Sequence, residues 1–121
     1  MKYLISICTG AVIVAQAGVV DGMRGTTNKR AWQWVTGLRP QVEWVEKARW
    51  HVDGKWWSGS GVSAGIDVAF AWIAEVFGEE VAAGCAVKME YTRRMDPGDD
   101  PFAEIYGLGG DKGTGEGKGR N

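Results

Sequence analysis

Histidine is almost absent from this chain: His51 stands alone among 121 residues. A catalytic dyad therefore has a single imidazole to draw on. No spacing of histidines and cysteines suits a metal site, and no metal or other cofactor is expected. Cysteine is nearly as scarce. Cys8 and Cys85 leave room for one bridge but not for a disulfide framework. Charge of one sign is missing too. The formal net charge of −1 leaves no electrostatic footprint for nucleic acid or an anionic membrane surface, so neither is an expected partner. No apolar run reaches the length of a membrane span. What remains is an ordinary globular composition on a chain long enough for one domain with a core.

The first stretch, MKYLISICTGAVIVAQAGVVDG, admits two readings. Its apolar run and the small-x-small Ala15-Gln16-Ala17 imitate a secretory signal. Alternatively, Tyr3 to Cys8 is a buried strand with β-branched Ile5 and Ile7. Thr9 to Ala17 is then a helix apolar on nearly every side, stopped at Gly18. A helix buried all round belongs in a layered α/β sandwich.

Further along, Asp21-Gly22 marks a turn and Thr26-Thr27 a short strand. Asn28 suits the N-cap of a helix over Lys29 to Thr36. Gln41 to Val45 alternates as a strand. ARWHVDGKWWSGS reads as a hairpin turning at Asp53-Gly54, which pairs Val52 with Lys55, His51 with Trp56 and Trp50 with Trp57. Ile66, Phe70, Ile73 and Phe77 form one stripe of a helix from Ser63 to Phe77, ended by Gly78. A second helix runs from Glu79 to Met89 with Ala82, Cys85 and Met89 on one stripe. After it comes an irregular tail containing Pro97 and Pro101. Residues 107–121, which hold seven of the nineteen glycines, are too polar to bury anything and are expected to be disordered.

Cys8 carries the sharpest chemistry. At the junction of a strand and a helix, its sulfur would sit at the sheet edge beside the positive helix end, which favours thiolate. The backbone N–H of Thr9 would face the same point and could donate to an oxyanion. A buried, inert cysteine fits the same local pattern. His51 is expected on a solvated hairpin face with Arg49, so a Cys8–His51 dyad is not expected. Asp67 reads either as an early-helix carboxylate favoured by the helix dipole or as a residue lining the site near Cys8. Cys85 and the seven tryptophans suit core and interface packing better than a reactive thiol or a sugar platform.

Three blocks in order, SICTGAVIVAQAGVVDGMRGTTNKRAW, ARWHVDGKWWSGSGVSAGIDVAFAWIAEVFGEEVA and MEY…DPFAE, closely resemble the ThiJ/PfpI (DJ-one/PfpI) family. The nearest likeness is to its fungal members and its isonitrile hydratase-like branch. The resemblance implies a flavodoxin-like three-layer α/β sandwich of the class I glutamine amidotransferase-like superfamily. It implies that Cys8 is the elbow nucleophile, that Thr9 follows it where some relatives carry histidine, and that Asn28 occupies a position that is histidine in many. It places the Gly61–Ser63–Asp67 turn close to the nucleophile. Relatives carry further strands, a second oxyanion loop and an acidic residue ahead of the elbow. Residues 1–106 are therefore expected to form the C-terminal portion of that domain, N-terminally truncated and not fully active. Three readings follow. The first is a cytoplasmic cysteine hydratase or hydrolase acting on a small molecule, a homodimer by analogy. The second is a non-catalytic domain serving binding or stress response. The third is a secreted protein cleaved after Ala17.

Overall fold

The structure is a computed structural model and describes residues 1–109; the expected disorder of the glycine-rich tail lies, from residue 110 on, outside the described residues. Leu4–Ile7 forms β1, which pairs in parallel with β5, Trp56–Gly59, so that Leu4 faces Trp56 and Ile7 faces Gly59. Strand β4, Trp50–Asp53, lies antiparallel on the other side of β5, giving the order β1-β5-β4. Between β1 and the hairpin the chain forms α1 (Ala11–Gln16), β2 (Arg24–Gly25), α2 (Trp32–Leu38) and β3 (Glu43–Trp44), with β2 and β3 a small parallel pair. Helices α3 (Val62–Phe77), α4 (Glu79–Met89) and α5 (Pro101–Ile105) follow. Among the described residues no helix is long and apolar enough to cross a membrane.

Strand alternation assigns the two faces of the sheet. Trp56 points to one side, where it packs with Ala15 of α1, Val20, Val42 and Leu4. Its indole N–H donates to Ser6 Oγ at 2.9 Å, which satisfies the one polar atom of a fully buried ring. Trp57 points to the other side and packs with Trp50 and Val68 of α3. Phe70 leads a further cluster between α3 and α4 with Ala82 and Ala86. Gly65 makes the α3 contact with β1 so close that a methyl group there would run into Ile7 Cγ2. The end of β1, and hence Cys8, is set against the first turns of α3 by this contact.

Several expectations are corrected. β1 is not buried on both faces: Ile5 and Ile7 are each more than one-third exposed, because among the described residues β1 has a single strand partner. Nor is the first helix buried all round. It is one 3₁₀ turn, Cys8–Gly10, followed by α1, in which Ala11 and Ala15 are buried while Ile13 is 77% exposed. The hairpin register is displaced. Asp53 pairs with Trp56, Val52 with Trp57, His51 with Ser58 and Trp50 with Gly59. Asp53 stays in the strand because Arg24 N–H donates to its carboxylate at 2.7 Å, and the turn moves to Gly54-Lys55, with Gly54 at φ +58°. Trp50 and Trp57 still share a face. The short strand is Arg24–Gly25 rather than Thr26-Thr27, α2 begins at Trp32, and the tail includes α5. The boundaries of α4 stand as expected, and α3 begins one residue earlier.

Candidate functional site

The site grows out of the end of β1. The strand delivers Cys8, whose backbone turns sharply to φ +59° before the 3₁₀ turn. A non-glycine residue at positive φ is uncommon and costs on the order of 1–3 kcal/mol, so the surroundings must hold it there. Two of them are visible. Thr27 Oγ1 donates to the Cys8 carbonyl at 2.9 Å, and Asn28 Nδ2 donates to Cys8 Sγ at 3.2 Å. The carboxamide cannot be turned the other way without loss, because Asn28 Oδ1 accepts the Ala31 N–H at 2.9 Å. Asn28 thus caps the turn ahead of α2 with its oxygen and presents N–H to the sulfur with its nitrogen. Thr9, second in the 3₁₀ turn, has a backbone N–H with no partner inside that turn.

Cys8 is half-buried and free of any disulfide. A carboxamide N–H on the sulfur favours negative charge there but takes up no proton, so Asn28 does not act as a base. Among the described residues no imidazole or carboxylate hydrogen-bonds Cys8. His51 lies on the hairpin, half-buried. Burial, with Arg24 nearby, holds its pKa below the ordinary value, while Asp53 pulls the other way.

Asn28 also belongs to the wall of a cavity of about 310 Å³. Lys29, Arg30 and Arg49 also line it, as does the start of α3 from its N-cap Gly61 to Ala64. Phe102 and Tyr106 add apolar surface. Gly61 and Ser63 are thus in the cavity wall, whereas Cys8 and Thr9 are not part of its lining; Asn28 is the residue common to both places. Asp67 is in neither. It lies in the second turn of α3, 1% exposed, where Oδ2 accepts from Arg49 Nε at 2.9 Å and pairs with Nη2 at 2.8 Å, and Oδ1 accepts the Arg94 N–H at 2.9 Å. It is neither a first-turn carboxylate nor part of the cavity lining; it neutralises Arg49, which is in that lining. Arg49, expected on a solvated face, is 8% exposed.

Sequence reasoning passed over Lys29 and Asp100. Lys29, expected at the start of a helix, is 3% exposed, with its Nζ 3.4 Å from the buried Asp100 carboxylate. Its partners lie up to 71 positions away, beyond any local pattern.

Against this geometry the comparisons are specific. The chain is similar to the isonitrile hydratase of Pseudomonas putida, with 32% identity over 90 residues. It is similar as well to the crystal structure of a ThiJ/PfpI family protein from Pseudomonas syringae, with a TM-score of 0.65 and 26% identity over 77% of this chain. Both likenesses point to the ThiJ/PfpI family, which the chain resembles over about three quarters of its length. No family model matches it. A cysteine-to-alanine mutant of a DJ-1 superfamily protein from Salmonella typhimurium shares the fold, with a TM-score of 0.63 at 22% identity over 75% of this chain. The flavodoxin-like α/β class of ThiJ/PfpI proteins is thus the fold of this chain, here with a small sheet. The match takes in 74% of the chain but 38% of the hydratase, and 37% and 48% of the two solved proteins.

Proposed function

We propose that this ThiJ/PfpI-like domain adds water to a small electrophile through a covalent adduct on Cys8, the nucleophile of an elbow. The observation that carries the reading is the sulfur's setting: a strained backbone at φ +59° and a carboxamide N–H 3.2 Å from Sγ, locked by Ala31. The similarity to an isonitrile hydratase supplies the test substrate class. With an isonitrile, Cys8 sulfur bonds to the terminal carbon, and that carbon takes a proton from solvent, giving a thioimidate. Water then adds to the same carbon while nitrogen takes a proton. The C–S bond breaks, the thiol returns, and the product is a formamide. Thr9 N–H is the donor for the oxygen in the tetrahedral adduct. A reducing, cytoplasmic setting keeps Cys8 available. Asp67 serves indirectly, by neutralising Arg49 in the cavity lining.

A non-catalytic binding role is the second reading, and one observation favours it: among the described residues Cys8 has a donor at its sulfur but no base. Incubating the full chain with a small aliphatic isonitrile and following formamide by mass spectrometry separates the two. The enzyme reading predicts turnover that disappears in Cys8→Ser. Absence of turnover together with ligand binding at the cavity supports the binding module.

A further inference from the structure

We infer that Lys29 is the positioning residue that holds the Asn28 carboxamide on Cys8. The inference rests on the reading of Cys8 as the nucleophile and extends it to a side chain that makes no hydrogen bond to the sulfur.

Lys29 Nζ is surrounded by acceptors alone. It donates to Thr26 Oγ1 at 2.7 Å, Ser60 Oγ at 2.9 Å, Thr27 O at 3.0 Å and Ala48 O at 3.1 Å, and Asp100 Oδ2 stands 3.4 Å away. Both hydroxyls have their hydrogens committed elsewhere. Thr26 Oγ1 donates to Val45 O and Ser60 Oγ to Thr27 O, so each turns a lone pair toward Lys29. Asp100 also accepts Ala48 N–H on Oδ2 and Phe102 N–H on Oδ1. The Trp32 ring lies 5.2 Å from Nζ. A centre of this make-up suits an ammonium, with three N–H groups and no lone pair. Burial pulls Lys29 down to about 8, against the opposing pull of Asp100, so the group is charged at pH 7.

The acceptors come from four separate segments: the 26–27 loop, the stretch before β4, the end of β5 and the cap of α5. Lys29 ties them together, and the first of them leads directly into Asn28. Thr27 is held at its carbonyl by Lys29 and Ser60 Oγ, and at its hydroxyl by Cys8 O. Asn28 lies between these two anchored residues, so its amide reaches Sγ without needing a long-range partner of its own. Removing the ammonium leaves these five acceptors without their shared donor; among the described residues Thr27 O keeps only the Ser60 hydroxyl and Asp100 Oδ2 only the Ala48 N–H. The loop can then relieve the repulsion only by moving, and Asn28 moves with it.

The test compares wild type, Asn28→Ala, Lys29→Met, the double variant and Ser60→Ala, all as the full chain. Iodoacetamide labelling of Cys8 at pH 7 is read at the peptide level, with Cys85 as the control for global unfolding. Exchange of the Ala31 amide, which is bonded to Asn28 Oδ1, reports the carboxamide independently of sulfur reactivity. The expected result is about a tenfold slower Cys8 reaction in Asn28→Ala and Lys29→Met, and still about tenfold in the double variant, because both act through one contact. Ala31 exchange accelerates in Lys29→Met. Wild-type Cys8 rate and Ala31 protection in Lys29→Met overturn the inference, as does an additive, roughly hundredfold loss in the double variant. If Lys29→Met exposes Cys85 as well, Ser60→Ala decides: a slower Cys8 with Cys85 unchanged is required. A wild-type Cys8 no faster than free cysteine refutes the nucleophile reading instead, and Ala31 exchange still judges Lys29.

Discussion

Replacing Asp67 by Asn is predicted to destabilise the domain severely without touching Cys8. Arg49 is 8% exposed and Asp67 1%, and the pair is joined at 2.9 and 2.8 Å. At an effective dielectric near 20, such a separation corresponds to a gross attraction of about 6 kcal/mol, offset in part by the desolvation of both ions. In Asp67→Asn the guanidinium stays buried with no counter-charge, and the amide cannot serve both Arg49 and the Arg94 N–H as the carboxylate does. Breaking a buried pair from one side costs about 3–5 kcal/mol, a large share of the roughly 5–15 kcal/mol that holds a domain together. Urea unfolding followed by the combined fluorescence of the seven tryptophans measures it, Trp50 beside Arg49 among them. A second variant checks the cause. Arg49→Met with Asp67→Leu removes both charges and should recover most of the loss, because no ion is left unpaired. A change below about 1 kcal/mol in Asp67→Asn, or a double variant as unstable as the single one, would refute the reasoning.

Three further outcomes follow. Gly65→Ala pushes a methyl group into the stiff Ile7 side chain and should cost about 1–3 kcal/mol, read as a lowered Tm. Ser6→Ala leaves the buried Trp56 indole N–H without an acceptor and should cost about 1–3 kcal/mol in urea unfolding. His51 should titrate below its ordinary value of 6.5 when followed by NMR, and Arg24→Met should raise it. Since its folded pKa is the depressed one, the unfolded chain binds the proton more readily. The stability His51 contributes is therefore present above about pH 6.5 and is lost as pH falls through the folded value, and His51→Gln should blunt that acid loss.

Much of the frame is legible in the residues. Strand, cysteine and helix follow from SICTG, and the α3 and α4 limits follow from the stripe and Gly78. The site is legible only in part. Asn28 stands out as a cap, but that its nitrogen reaches Sγ depends on a contact across 20 positions. The hairpin register went astray because Arg24 captures Asp53 from 29 positions away. Lys29 looked like the start of a helix, since a buried ammonium is defined by acceptors that only tertiary structure gathers. Arg49 and Asp67 each had a plausible surface or dipole role until the fold brought them together. Local periodicity carries the elements; charges buried in pairs are written in no short stretch.

The rate of Cys8 alkylation at pH 7 tests the central claim most directly. The carboxamide N–H on Sγ predicts that Cys8 reacts faster with iodoacetamide than both Cys85 and free cysteine, and that Asn28→Ala slows it about tenfold. A Cys8 that reacts no faster than free cysteine, and is indifferent to Asn28, would contradict it.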